Sequence, residues 1–167
     1  VPLTLLAATD EHAYVVCEIG SNAPGEIAHL AAIVRPDIGV ITGVGTSHIQ
    51  GLGSVEGIAR EKASLLDHLQ DDGMAIVNGD SRPLAEAIAG KDGVRLVRFG
   101  LGDKVDLTAT DIAVDADGVR FRIDGRQPVH LPLLGRHNVL NALAATAVGR
   151  RFGLDDARIA RGLAGAR

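Results

Sequence analysis

Aromatic residues are nearly missing from this chain, which has no tryptophan, one tyrosine and three phenylalanines among 167 residues. A core without large rings has to be assembled from Val, Leu, Ile and Ala. Aliphatic strands with alanine-rich helices are the composition of a sheet covered by helices on both faces. Cysteine is scarcer still: Cys17 stands alone in an apolar run. No disulfide can form within the chain, and a cytoplasmic location is expected. Charge of neither sign dominates, with 17 Lys and Arg against 21 Asp and Glu, a net of -4. No Lys/Arg run is present, which argues against nucleic acid as a partner. No stretch approaches the roughly 18 apolar residues of a membrane span, and neither a span nor a signal peptide is expected. The first residue is Val1, in mid-pattern and without a methionine, so a piece of a longer protein is expected.

What is present is a packed globular composition, 46% hydrophobic, which is enough for one domain with its own core. Ala13 to Ile19 is a nearly continuous apolar run and predicts a buried parallel strand. Pro24 suits the first position of a helix, and Ile27, Leu30, Ala31 and Val34 follow at helical spacing. Arg35-Pro36-Asp37 breaks that helix before a second apolar strand, Ile38 to Val44. After a loop containing His48, Ser54 is placed to cap a helix with the stripe Val55, Ile58, Ala59, Leu65, Leu66 and Leu69. Strands over Met74–Val77 and Val94–Phe99 enclose a helix near Arg82–Ala89. This alternation predicts an α/β fold with a mostly parallel sheet and helices on both faces. The pattern then changes. Leu107–Val114, Val119–Ile123 and Val129–Leu133 are separated by Asp117-Gly118 and Asp124-Gly125, which predicts a small antiparallel meander near residues 106–133. Two helices, about Asn138–Arg151 and Asp155–Ala164, end the chain. With no repeat, low-complexity segment or linker, one domain over residues 1–167 is the economical division.

Several residues stand where chemistry is possible. Glu18 ends the first predicted strand, followed by Gly20, Asn22 and Gly25. Ligands of open α/β sheets bind beyond the carboxyl ends of the strands, and a carboxylate there can ligate a hard cation such as Mg²⁺; it can equally well just face solvent. His48 follows the second strand on the same predicted edge, where it could ligate a metal or shuttle protons, or be a plain loop histidine. Lys62 occupies the missing position of the stripe 55, 58, 59, 62, 65, 66, 69. A lysine there must be paired or reach water. Burial favours the neutral amine, and a neutral amine reacts with carbon dioxide to give a carbamate, a carboxylate-like metal ligand. Asn138 and Asn141, at i and i+3, share a helix face and carry the donors and acceptors that match an adenine edge. Capping would explain Asn138; Asn141 lies in an otherwise apolar helix, where a buried amide needs a partner. Asn78 and Asp80, closing the third strand, read as an Asx turn or as ligands.

Together these segments resemble one family, the Mur ligases, and within it the D-alanyl-D-alanine-adding (MurF) type. Residues 18–27, EIGSNAPGEI, resemble its E-x-G-x-N-x-x-G-E-I segment. Thr46-Ser47-His48-Ile49-Gln50-Gly51-Leu52-Gly53-Ser54 resembles its A-H-L-E-G-F-G-S segment, and Lys62 falls where the family has a carbamylated lysine. Gly135-Arg136-His137-Asn138-Val139-Leu140-Asn141-Ala142 resembles its G-R-H-N-x-x-N-A motif. Order and spacing hold over essentially all 167 residues. The resemblance implies the central, P-loop-NTPase-like domain of an ATP-dependent, ADP-forming amide ligase of peptidoglycan synthesis, a monomer. Its substrates would be UDP-N-acetylmuramoyl-tripeptide and D-alanyl-D-alanine, joined through an acyl phosphate. Glu18, His48 and a carbamylated Lys62 would hold Mg²⁺, with Lys62 the residue of catalytic interest. Asn138 and Asn141 would hold the adenine end of ATP.

The chain departs from the family pattern in places. No G-x-x-G-K-[ST] phosphate loop occurs in it, and the family's N- and C-terminal domains are not represented. A chain without that loop is expected to be inactive alone. Gln50 and Ser64 stand where Glu is common. The alternatives are another ligase of the same superfamily, such as a folylpolyglutamate- or cyanophycin-synthetase-like enzyme, and a non-catalytic scaffold that kept the fold. A dinucleotide-binding domain is not indicated, because no G-x-G-x-x-G follows a strand.

Overall fold

The computed structural model of the protein describes residues 1–45, 49–91 and 93–166. A short helix α1 (Pro2–Leu6), unforeseen in the sequence, opens the chain. It is followed by α2 (Glu26–Val34), β1 (Ile38–Ile41), a turn of helix α3 (Ile49–Leu52) and α4 (Val55–Ala63), which tightens into a 3-10 segment over Ser64–His68. Next come β2 (Met74–Asn78), α5 (Arg82–Ile88), β3 (Arg95–Gly100), β4 (Leu107–Asp115), β5 (Gly118–Ile123) and β6 (Gln127–Leu131). Helices α6 (His137–Arg151) and α7 (Asp156–Leu163) end it.

All six strands form one sheet in the order β1-β2-β3-β4-β5-β6. The pairs β1–β2, β2–β3 and β3–β4 are parallel; β4–β5 and β5–β6 are antiparallel. β4 joins the two parts. Its first residues pair with β3 (Phe99 with Leu107, Gly100 with Thr108), and from Ala109 on it pairs with β5, with a register shift between Thr110 and Ala113. Asp111, inside that bulge, has φ +54°, in keeping with the added bend that a bulge gives a strand. The β5–β6 turn places Asp124 (φ +47°) and Gly125 (φ +70°) in the left-handed region. That is the twist a tight hairpin needs, and the reason the Asp-Gly pair is legible as a turn.

Side-chain alternation along β2 splits the core in two. Met74 and Ile76 face α6, joining Phe99, Phe121, Ile123, Val139 and Leu143. Ala75 and Val77 face the other way, joining Ile27 and Ala31 of α2, Leu65, Leu66 and Leu84 of α5. Helices therefore cover both faces of the parallel part, as expected. Among the described residues no helix is long and apolar enough to cross a membrane.

Three expectations need correction. Ala13–Ile19 is not a strand: Tyr14, Val15 and Val16 are exposed, and Ile19 alone packs, partly buried, against the α2-side core. An apolar run becomes a strand only when a neighbour accepts its ladder of hydrogen bonds, and among the described residues β1 pairs on one side only, with β2. The Tyr14 ring packs instead on Phe152, centroids 4.5 Å apart. The helix expected from Pro24 begins at Glu26, because Gly25 as N-cap takes φ +86° and turns the chain first. The strand expected over Ile38–Val44 ends at Ile41.

Candidate functional site

The parallel strands β1, β2 and β3 end on one edge of the sheet, and their loops are pinned there by side chains. Asn78 is buried at the end of β2. Its amide donates to the Thr42 carbonyl beyond β1 (2.9 Å), and its Oδ1 accepts from Asp80 N–H (2.9 Å). That is an Asx turn extended to a neighbouring strand. Asp80, exposed, accepts from the Leu101 and Gly102 amides at 2.7 and 3.0 Å, just beyond β3. Both residues hold the loop geometry of this edge, as the Asx-turn alternative expects.

Glu18 is exposed on the segment that leads to α2. The loop after it is held at its far end. Glu26 Oε2 accepts from Asn22 N–H at 2.7 Å and from Ala23 N–H at 3.2 Å. Gly51 of α3 crosses the same loop closely: a Cβ there would sit 1.9 Å from the Asn22 carbonyl oxygen, so only glycine fits.

α4 begins as its sequence predicts. Ser54, as N-cap, accepts from Gly57 N–H at 3.0 Å. The Glu56 carboxyl, in the first turn, is held below the usual carboxylate range by its bond to its own backbone amide and by the Ser54 hydroxyl. The stripe is where it was expected: Ile58, Ala59, Leu65 and Leu66 are buried, and Lys62 among them is half-buried. The stripe did not identify Glu61. This carboxylate, 8% exposed, accepts from Gly25 N–H and Ile27 N–H, each at 2.8 Å. It caps α2 from another helix, because Gly25 has no side chain to do so. The only hint in the sequence is that glycine at the start of a helix.

Asn138 and Asn141 do share a face at the start of α6. Asn141 Nδ2 donates to Asn138 Oδ1 at 3.1 Å, and Asn138 Nδ2 donates to the Leu134 carbonyl at 2.9 Å. Asn138 is half-buried and Asn141 is exposed. Asn141 is therefore not a buried amide seeking a partner, as its apolar helix suggested. α6 buries Val139, Ala142, Leu143, Ala144 and Ala147, while positions 141 and 145 face out. His48 lies outside the described residues. Among the described residues no three His, Cys, Asp or Glu side chains converge to hold a metal.

The family model for the Mur ligase middle domain matches residues 1–149. The UDP-N-acetylmuramoyl-tripeptide–D-alanyl-D-alanine ligase of Bacillus subtilis is 39% identical over 165 residues, covering 98% of this chain and 35% of that protein. A crystal structure of MurF from Acinetobacter baumannii superposes with a TM-score of 0.91 at 34% identity, covering 99% of this chain and 37% of that one. MurF ligase from Thermotoga maritima, solved in complex with ADP, shares the fold with a TM-score of 0.81 at 24% identity, over 99% of this chain and 39% of that one. The chain thus spans about a third of the length of the relatives it matches.

Proposed function

The chain belongs to the Mur ligase middle-domain family, and from that premise we propose that it is the ATP-handling domain of a cytoplasmic ligase that joins D-alanyl-D-alanine to UDP-N-acetylmuramoyl-tripeptide. The observation that carries the reading is geometric. The start of α2, which follows the segment bearing Glu18 and Asn22, is bonded to the helix bearing Lys62 through the Gly25 and Ile27 amides on the Glu61 carboxylate. The similarity of the whole chain to ligases of that name supports the same reading.

In the proposed reaction the substrate's carboxylate oxygen attacks the γ-phosphorus of ATP. The O–P bond to ADP breaks, and an acyl phosphate forms. The D-alanyl-D-alanine amine then attacks the acyl carbon and gives up a proton to solvent, an amide bond forms, and inorganic phosphate leaves with the electron pair of the broken C–O bond. This chain's residues bind and orient. Asn138 and Asn141 offer two amides from one helix face to the adenine. Glu18 offers a hard oxygen donor, and with His48 and a carbamylated Lys62 would hold Mg²⁺. A Mg²⁺ ion takes one or two carboxylates together with substrate phosphates and waters. A sparse protein donor set of this kind therefore fits an ion that arrives with the nucleotide. When bound, the ion neutralises charge on the transferring phosphoryl group. The carbamate would form as the Lys62 nitrogen bonds the carbon of CO₂ and loses a proton.

The test is ADP formation by the full-length protein with Mg-ATP and both substrates, omitting each in turn. Turnover that needs both is expected. Turnover with a different amine or carboxylate substrate would move the protein to a related ligase, and a folded protein that forms no ADP would make it a scaffold. The 167-residue chain alone, with no G-K-[ST] loop in its sequence, is proposed to be inactive, and ADP formation by it would overturn that.

A further inference from the structure

We propose that Glu61 is a positioning residue: it fixes the start of α2, into which the segment carrying Glu18 and Asn22 runs, to the helix that carries Lys62, so that its loss loosens Mg²⁺ binding rather than the fold alone. The inference rests on the ligase reading above. A carboxylate taken out of water is costly unless it is well hydrogen-bonded, and Glu61 uses both oxygens: Oε2 on Gly25 N–H, Oε1 on Ile27 N–H. These amides open α2, where the helix dipole also favours a negative charge. A serine or aspartate at position 25 would cap the helix locally. Gly25 leaves that task to a residue 36 positions later, and this turns a cap into a tether between two segments.

The tether is one of three restraints on the same loop. Glu26 holds the Asn22 and Ala23 amides from within, and Gly51 meets the Asn22 carbonyl from α3. Of the three, Glu61 alone neighbours Lys62 in sequence. It is held in turn by the end of its own helix, where the Ser64 hydroxyl donates to the Glu61 carbonyl at 2.6 Å. Residues that orient metal ligands without touching the metal commonly change metal affinity when replaced.

The experiment uses the full-length protein with Glu61→Gln, Glu61→Ala and, as a control on the exposed face of α4, Glu56→Gln. Glu61→Gln keeps the shape but turns an N–H₂ group toward a backbone N–H. Three quantities are read: hydrogen exchange of the segment 22–27 without nucleotide or metal, the Mg²⁺ concentration giving half-maximal ADP formation, and the rate at saturating Mg²⁺. For Glu61→Gln we expect faster exchange at Gly25 and Ile27 and a rise of about tenfold in half-saturating Mg²⁺. The saturating rate should be largely retained, and Glu56→Gln should match the wild type. A Glu61→Gln protein with lowered melting temperature but unchanged Mg²⁺ dependence would make Glu61 a helix cap only, and would sink the inference while leaving the ligase reading intact. A wild type that forms no ADP at any Mg²⁺ concentration sinks the ligase reading and this inference with it. If Glu61→Ala fails to fold, Glu61→Gln still decides.

Discussion

The parallel and antiparallel halves of the sheet are built to different rules. β2 is buried at all five positions, with α6 over one face and α2, α5 and the 3-10 segment over the other. β5 alternates: Val119, Phe121 and Ile123 point into the core, while Arg120 and Arg122 point out. The parallel half needs crossovers, and every crossover leaves a loop on the carboxyl edge; Asn78, Asp80 and the Glu18 loop occupy that edge. The antiparallel half closes with tight hairpins, and none of the candidate site residues lies in them. The proposed site residues Glu18 and Lys62 belong to segments joined to the parallel half, and α6, which carries Asn138 and Asn141, packs across β2 and β3 as well as β4 and β5.

The comparison can be tested by substitution. Ile76, fully buried in the middle of β2, should cost about 2–5 kcal/mol when truncated to Ala, read as a shift in the urea midpoint. Val114, half-exposed on β4, should tolerate Thr within about 0.5 kcal/mol. Similar losses at both positions would remove the distinction between a strand covered on two faces and one covered on a single face. Next in size is Gly51→Ala. Its Cβ would meet backbone, not a movable side-chain tip, so a loss of about 1–3 kcal/mol is expected from the forced shift. A denaturation midpoint equal to that of the wild type would show that the Asn22 loop yields freely, and would weaken the view of the carboxyl edge as rigidly pinned. Smaller again is Asn141→Ala in the full-length protein, which should weaken nucleotide binding by about 1 kcal/mol, roughly fivefold in Kd. Unchanged affinity in a calorimetric titration would remove the adenine assignment from α6.

Most of the fold was legible because it is written locally. The all-apolar run of β2, the helical stripe from Val55 to Leu69 and the two Asp-Gly turns each announce an element within a few residues. Ala13–Ile19 misled for the same reason: its residues have strand character, but a strand is a property of a pair. Asn141 misled because α6 is apolar in composition, and composition does not say which helix positions face out. Glu61 was illegible because its meaning lies in amides 34 and 36 residues away. Of the metal-site expectations, the stripe placed Lys62 on the half-buried rim of the core, while Glu18 stands at the carboxyl end of an expected strand that does not form, which leaves its assignment to the resemblance.

The smallest expected effect concerns how the antiparallel half is fastened to the C-terminal helices. Arg150 of α6 donates from Nε to Asp156 Oδ1 and from Nη2 to Asp156 Oδ2, both at 2.8 Å, and Nη2 also reaches Asp124 Oδ2 in the β5–β6 turn at 2.8 Å. Its hydrogen bonds to Arg150 hold the Asp156 carboxyl below the usual carboxylate range, against a smaller opposing effect of burial. The same contacts raise the Arg150 guanidinium. Because the folded pKa of Asp156 lies below its unfolded value of about 3.9, the stabilisation is fully present above that value and is lost as pH falls through the lower, folded pKa. The side chains are about a third exposed, so solvent screening keeps the contribution of the pair to at most about 1 kcal/mol at neutral pH. Asp156→Asn should therefore melt slightly below the wild type at pH 7, and the two melting temperatures should converge as the pH falls below the unfolded value of about 3.9 and through the lower, folded pKa. A gap that stays constant from pH 7 until acid unfolds both proteins would assign the effect to packing at the start of α7. The α6–α7 junction would then be fastened by apolar contact, and not by charge.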